Sequence, residues 1–105
     1  MNDNDFLIVK AKFRLKLTEE GGRMSGIKSG YRPNHVFEYI DGSMVSAYMG
    51  EIKFDGQEWI EPGEGKVVTV QFMRGQKIEN FLTIGRLWWI HEGDRVVGEA
   101  EIIEV

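Results

Sequence analysis

The sequence contains no cysteine. That excludes disulfide cross-links and thiolate chemistry. Long apolar runs are missing too. The first stretch rich in Leu, Ile and Val is broken by Lys10, Lys12 and Arg14, so it reads neither as the core of a signal peptide nor as a membrane span. The expected location is the cytoplasm, and the opening Met with no tag reads as the start of a complete small protein. No segment of ten or more residues keeps helical spacing of its apolar positions. There is no Gly-x-x-x-x-Gly-Lys-Ser/Thr loop and no Mg²⁺-binding Asp motif, which removes the basis for binding GTP. Ser25, Ser29, Ser43 and Ser46 lie in no Gly-x-Ser-x-Gly elbow. His35 and His91 have no cysteine or carboxylate at zinc-site spacing and read as surface imidazoles, His91 in a turn. Glu58, Glu61 and Glu64 straddle Pro62-Gly63, which suits a solvated loop better than an acid/base pair. The expectation is a protein that is not an enzyme and uses no metal or cofactor.

What is present fits one domain. At 105 residues the chain can bury a single core, and residues 1–105 read as one unit with 1–5 as a disordered tail. The net charge of −4 is uneven. Residues 1–35 hold seven Lys/Arg against four Asp/Glu, and the remainder holds six against thirteen. A dedicated nucleic-acid binder is expected to carry a basic balance, so DNA is not an expected partner. The cations of the first third read as the solvent side of one strand.

Leu7, Val9, Ala11, Phe13, Leu15 and Leu17 alternate with Lys10, Lys12, Arg14 and Lys16. This period of two marks a half-buried strand with a cationic outer face. At roughly 3.3 Å per residue it is about 36 Å long, which suits a strand bending around a small barrel. Gly21-Gly22 ends it with a tight turn, or with an anion-binding nest beside Arg23. Residues 23–33 read as a loop and Asn34 to Ile40 as a strand, with Asp41-Gly42 as a hairpin turn. Met44 to Phe54 reads as a strand bulged at Gly50. Asp55-Gly56 and the segment Glu61 to Gly65 are turn chemistry. Lys66 to Met73, Ile84 to Ile90 and Arg95 to Val105 complete the strands, the last two joined by a turn over His91 to Asp94. The pattern predicts an all-β fold, and the scarcity of edge-blocking residues favours a closed barrel.

Three segments carry a resemblance: Gly21-Gly22-Arg23, Gly30-Tyr31-Arg32-Pro33, and Arg86 through Trp88-Trp89 and Gly93 to Val97-Gly98. With the alternating first strand and the Pro62-Gly63 turn before a Val-rich strand, they stand in the order and places in which similar motifs occur in the third, C-terminal barrel of elongation factor Tu. The sequence from about Phe6 to Val105 resembles that barrel. The resemblance implies a small closed antiparallel barrel of six or so strands, Greek-key in type. In that family the third domain packs on a GTPase domain, contacts the T-arm of tRNA and helps bind a nucleotide exchange factor.

The resemblance places Arg23, Arg32 and Asn34 where the family contacts RNA. Met24 stands where bacterial members commonly have His, Asn34 where Gln is usual, and Glu38 where the family has Arg. A carboxylate near phosphate is repulsive, which works against the tRNA contacts. In the closing hairpin Trp88 takes the place of a core Phe, and Trp89 that of a small Ala. Adjacent strand residues point to opposite faces, so one of the two tryptophans lies outside the barrel. It serves there either as a binding anchor or as cover for a loop such as 74–80. The expectation is a stand-alone, non-catalytic adaptor that binds a protein partner or itself through Arg23, Arg32, Asn34 and Trp89, in the translation-related setting that the resemblance implies. The alternative is a tRNA-type RNA-binding module using Arg23, Arg32 and Asn34.

Overall fold

The computed structural model describes residues 5–105. The tail expected over 1–5 therefore lies outside the described residues except for Asp5, whose carbonyl accepts the Arg74 N–H at 3.1 Å. The described residues form ten strands: β1 (Phe6–Leu15), β2 (Ile27–Lys28), β3 (Asn34–Val36), β4 (Tyr39–Ile40), β5 (Ser43–Met44), β6 (Tyr48–Lys53), β7 (Trp59–Ile60), β8 (Gly65–Met73), β9 (Leu87–Glu92) and β10 (Arg95–Glu104). Six close into an antiparallel barrel in the order β1-β10-β9-β3-β6-β8, with β8 returning to β1. The series β9-β3-β6-β8 is the Greek-key order, in which a fourth strand returns beside the first of three. The other four strands form two ribbons, β2–β7 and β4–β5. Among the described residues no helix is long and apolar enough to cross a membrane.

Alternation builds the interior. Val9, Ala11, Phe13 and Leu15 of β1 are buried, as are Val68, Val70 and Phe72 of β8. Ile78, at the head of a 3-10 turn over Glu79–Phe81 between β8 and β9, is fully buried with them. Phe81 stacks on Phe37 with ring centroids 5.0 Å apart, and Phe37 stacks on Trp88 at 5.3 Å. Ile27 and Ile60 of the β2–β7 ribbon enter the same core.

Several local expectations are corrected. Residues 23–33 are not all loop, because β2 pairs there with β7. The strand expected from Asn34 to Ile40 divides: β3 joins the barrel, while β4 leaves it to pair with β5 through an Asp41-Gly42 turn. Gly50 is not a bulge. It sits in regular register opposite Phe72, and a Cβ there would lie 2.8 Å from the Phe72 ring and 3.0 Å from His35 Nε2. The turn over His91 to Asp94 narrows to Gly93-Asp94, because His91 and Glu92 belong to β9.

Most consequential, neither histidine is a surface imidazole. His35 is 0% exposed and His91 2%. Trp88 Nε1–H donates to His35 Nδ1 at 3.0 Å, and His35 Nε2 lies 3.0 Å from the Gly50 carbonyl. A carbonyl only accepts, so the proton sits on Nε2 and the ring is neutral with both nitrogens partnered. Burial holds its pKa down to about 4, against a smaller upward effect of the Gly50 hydrogen bond.

The real irregularities of the ladder lie on β10. Its pairing shifts between Val96 and Gly98, and opposite Lys10/Ala11. At Gly98 a Cβ would stand 2.9 Å from the Arg14 carbonyl and 2.9 Å from the Phe13 ring. Backbone on one side and a packed ring on the other leave no room to yield. Gly98→Ala is expected to cost about 1–3 kcal/mol through overpacking, read as a lower urea midpoint with an unchanged slope.

Candidate functional site

The β9 strand presents alternate residues to the two sides of the wall. Trp88 and Ile90 are fully buried in the core, so Leu87, Trp89 and His91 face outward. The expectation that the two tryptophans separate therefore holds. Trp89 is half-buried, and what it touches is Tyr39 of β4, edge to face with centroids 5.2 Å apart. Tyr39 continues over the wall to His91, whose Nε2 meets the Tyr39 hydroxyl. His91 Nδ1 lies 3.2 Å from the Gly93 carbonyl. The same donor logic puts the His91 proton on Nδ1 and makes the Tyr39 O–H the donor to Nε2. Burial raises the Tyr39 pKa above its ordinary value, which keeps that donor in place.

Val36 explains why Tyr39 lies there. It is 0% exposed yet stands apart from the interior cluster, and it pairs with Trp89 across β3–β9. Val36 is thus an outward apolar residue, buried beside its cross-strand partner Trp89, which Tyr39 of β4 touches in turn. Trp89 keeps its remaining surface at the edge of a groove shared with Arg14, Lys16, Glu20, Val96 and Glu99.

The other expected site residues fall in different surroundings. Asn34 is exposed on β3 and pairs with His91, so it shares the outer wall with Trp89, one rung-pair away. Arg32 is solvent-exposed and turns to β6, with Nε 3.5 Å from Glu51 Oε2. Arg23 is spent inside the molecule. Its Nη1 pairs with Glu92, its Nε donates to the Ser25 carbonyl at 3.2 Å, and its guanidinium lies 5.2 Å from the Tyr31 ring centre. The Tyr31 hydroxyl donates to the same Glu92 oxygen, and Arg95 Nη2 reaches the other oxygen at 3.5 Å. Burial alone would raise the Glu92 pKa. Hydrogen bonds from Tyr31 and Arg23 and the charges of Arg23 and Arg95 overcome it and hold the carboxylate below its usual range. Tyr31 is raised by burial and by Glu92. The Gly21-Gly22 turn is a close approach of chain to chain: a Cβ at Gly22 would lie 2.6 Å from the Lys16 carbonyl.

The cationic face of β1 also finds its complement. Lys10, Lys12 and Arg14 stand opposite Glu104, Glu101 and Glu99 of β10. Three cations and three anions from opposite ends of the sequence are thus neighbours across one pair of strands. The residues that sequence reading missed are Tyr31, Tyr39, His91 and Glu92. Carrying the β9 alternation two residues further would have put His91 on the same face as Trp89. Nothing local signals that Glu92 waits for Arg23, 69 positions away in sequence.

Fold and site together define a class: a closed six-stranded antiparallel barrel with an aromatic cluster on its outer wall. Searched against models of known protein families, the chain matches none.

Proposed function

We propose that the chain is a non-catalytic protein-binding module, similar to the third barrel of elongation factor Tu, that engages its partner through the outer wall around Trp89. The observation that supports this is the placing of Trp89: a large aromatic on the outside of the barrel, braced by Tyr39, with a groove beside it that mixes apolar and charged groups. Rigid aromatic anchors of this kind dominate binding energies at protein interfaces. Asn34 extends the surface, Arg32 supplies an exposed cation near it, and Arg23 acts by fixing Tyr31 and Glu92. The RNA reading is weaker on the same ground. Arg23 is neutralised by Glu92, the β1 cations face glutamates, and Glu38 is exposed. Carboxylates beside these cations weaken their attraction for phosphates.

The test is affinity capture from native lysate with and without nuclease, run on wild type and on Trp89→Ala. The expected result is a protein partner that survives nuclease and whose capture falls about tenfold in the variant, as loss of an interface aromatic worth more than about 1.4 kcal/mol requires. The variant also loses its contact with Tyr39, so its thermal midpoint should drop by only a few degrees, for a loss of about 1 kcal/mol. Equal capture by both proteins would remove Trp89 from the proposal. A haul of tRNA, lost with nuclease and falling steeply with salt, would replace it with the RNA reading.

A further inference from the structure

The outer face of β8-β1-β10-β9 is organised in transverse rows. One row reads Val67, Lys12, Glu101, Leu87, and the next reads Gly65, Arg14, Glu99, Trp89. A third begins Thr69, Lys10, Glu104. Each row has a cation on β1 and an anion on β10, and the first two have uncharged positions on both sides of that pair. Val67 and Leu87 are 52% and 55% exposed, although both are large and apolar. Between them lies a shallow groove lined by Lys12, Arg14, Gly65, Val67, Leu87 and Glu101.

This order is antisymmetric in charge about a line drawn between β1 and β10. A half-turn about an axis parallel to the strands along that line turns each row end for end and lays it on its own copy. Lys12 then meets Glu101 of the second chain, and Glu101 meets its Lys12. Val67 meets Leu87. Arg14 meets Glu99, and Gly65, with no side chain, meets the bulk of Trp89. A closed two-fold contact requires such self-complementarity, with residue i facing j and j facing i. A partner of single charge sign would meet like charge at one of the two charged positions in every row, and like charges juxtaposed across an interface cost affinity. We propose that this face binds a second copy of the same chain in an isologous dimer, with Lys12 and Glu101 facing each other twice at its centre. This goes beyond the proposed binding of another protein and does not depend on it. Trp89 stands at the border of both surfaces, while Lys12, Glu101 and Val67 belong to this one.

The experiment is analytical ultracentrifugation of the purified chain over a wide concentration range at low and moderate salt. The wild type should pass from the single-chain mass of 12.1 kDa toward twice that value as concentration rises. Lys12→Glu sets two carboxylates against each other at both central pairs, and Glu101→Lys sets two ammonium groups. Each variant alone should remain at single-chain mass. Mixed in equal amounts they restore both pairs, so the mixture should recover the doubled mass, as should the double exchange within one chain. Circular dichroism establishes that each variant is folded. If a charge exchange prevents folding, Leu87→Asp at an exposed position makes the same test by setting a carboxylate against Val67. Wild type that stays at single-chain mass throughout overturns the proposal. So does a single variant that dimerises as well as wild type, or a mixture that fails to recover.

Discussion

Trp88→Ala is expected to destabilise the barrel by about 4 kcal/mol or more, the largest effect of any single side-chain truncation in the chain. Truncating a buried tryptophan costs about 3–5 kcal/mol from lost packing and the cavity left behind. Trp88 is fully buried, stacked on Phe37 at 5.3 Å and packed near Phe72 with centroids 6.0 Å apart. The variant also removes the donor to His35 Nδ1. An orphaned buried acceptor adds about 1–3 kcal/mol unless water enters the cavity and replaces the indole. A domain of this size has a total stability of about 5–15 kcal/mol, so the variant should be close to unfolding at ambient temperature. Trp88→Phe separates the two contributions. It keeps most of the ring stack and loses the hydrogen bond, so about 1–3 kcal/mol is expected from the orphaned acceptor. Urea unfolding of the three proteins side by side is the measurement. Equal losses in both variants would mean that the hydrogen bond, and not the stack, carries the tryptophan's effect.

The barrel should also lose stability in weak acid, before most carboxylates protonate. His35 has a folded pKa of about 4 against an ordinary value of 6.5. Between those two values the unfolded chain binds a proton on this ring and the folded chain does not. Stability therefore rises with pH across that window and is lost as pH falls from about 6.5 toward 4. At about 1.4 kcal/mol per unit, the loss amounts to roughly 3 kcal/mol. Glu92 acts in the same direction but lower. Its folded pKa is depressed, so its contribution is present above about 4.5 and disappears as pH falls through its folded value. The two windows separate the two groups. The check is an NMR titration of the imidazole protons together with urea midpoints at a series of pH values. An imidazole of His35 that titrates near 6.5 in the folded protein would contradict the buried, doubly bonded ring.

Those two expectations rest on residues that the sequence presents as ordinary, and the reason is physical. Alternation is a local signal, and it exposed the long strands: the buried phases of β1 and β8 are those that period two predicts. It also separated Trp88 from Trp89. What it could not show was where polar side chains find partners. In the chain His35 precedes a buried Val36 and a buried Phe37; in space it faces Gly50 and Trp88. Three consecutive buried residues break the period because Val36, on the outer side of β3, is buried as well, beside its cross-strand partner Trp89. Gly50 could be read as a bulge because a missing side chain looks alike whether the chain bends or a ring needs its space. The candidate site divided along the same line. Strand phase separated Trp89 from Trp88, while Asn34 entered only through the resemblance. The tie of Arg23 to Glu92 was not legible, because it joins a turn to a distant strand end.

The barrel closes where β1 meets β10. Within the barrel, β1 thus waits for β10, the strand farthest from it in sequence. Until β10 is available, β1 can pair on one side with β8, and β9 on one side with β3, but the wall between them stays open. The unfilled gap exposes the backbone of two strand edges and the underside of the core, the features that make incomplete β-proteins prone to pair with one another. While that gap is open the barrel is an adhesive form of itself, and the glutamates of β10 stand opposite the cations of β1 along the seam that closes it.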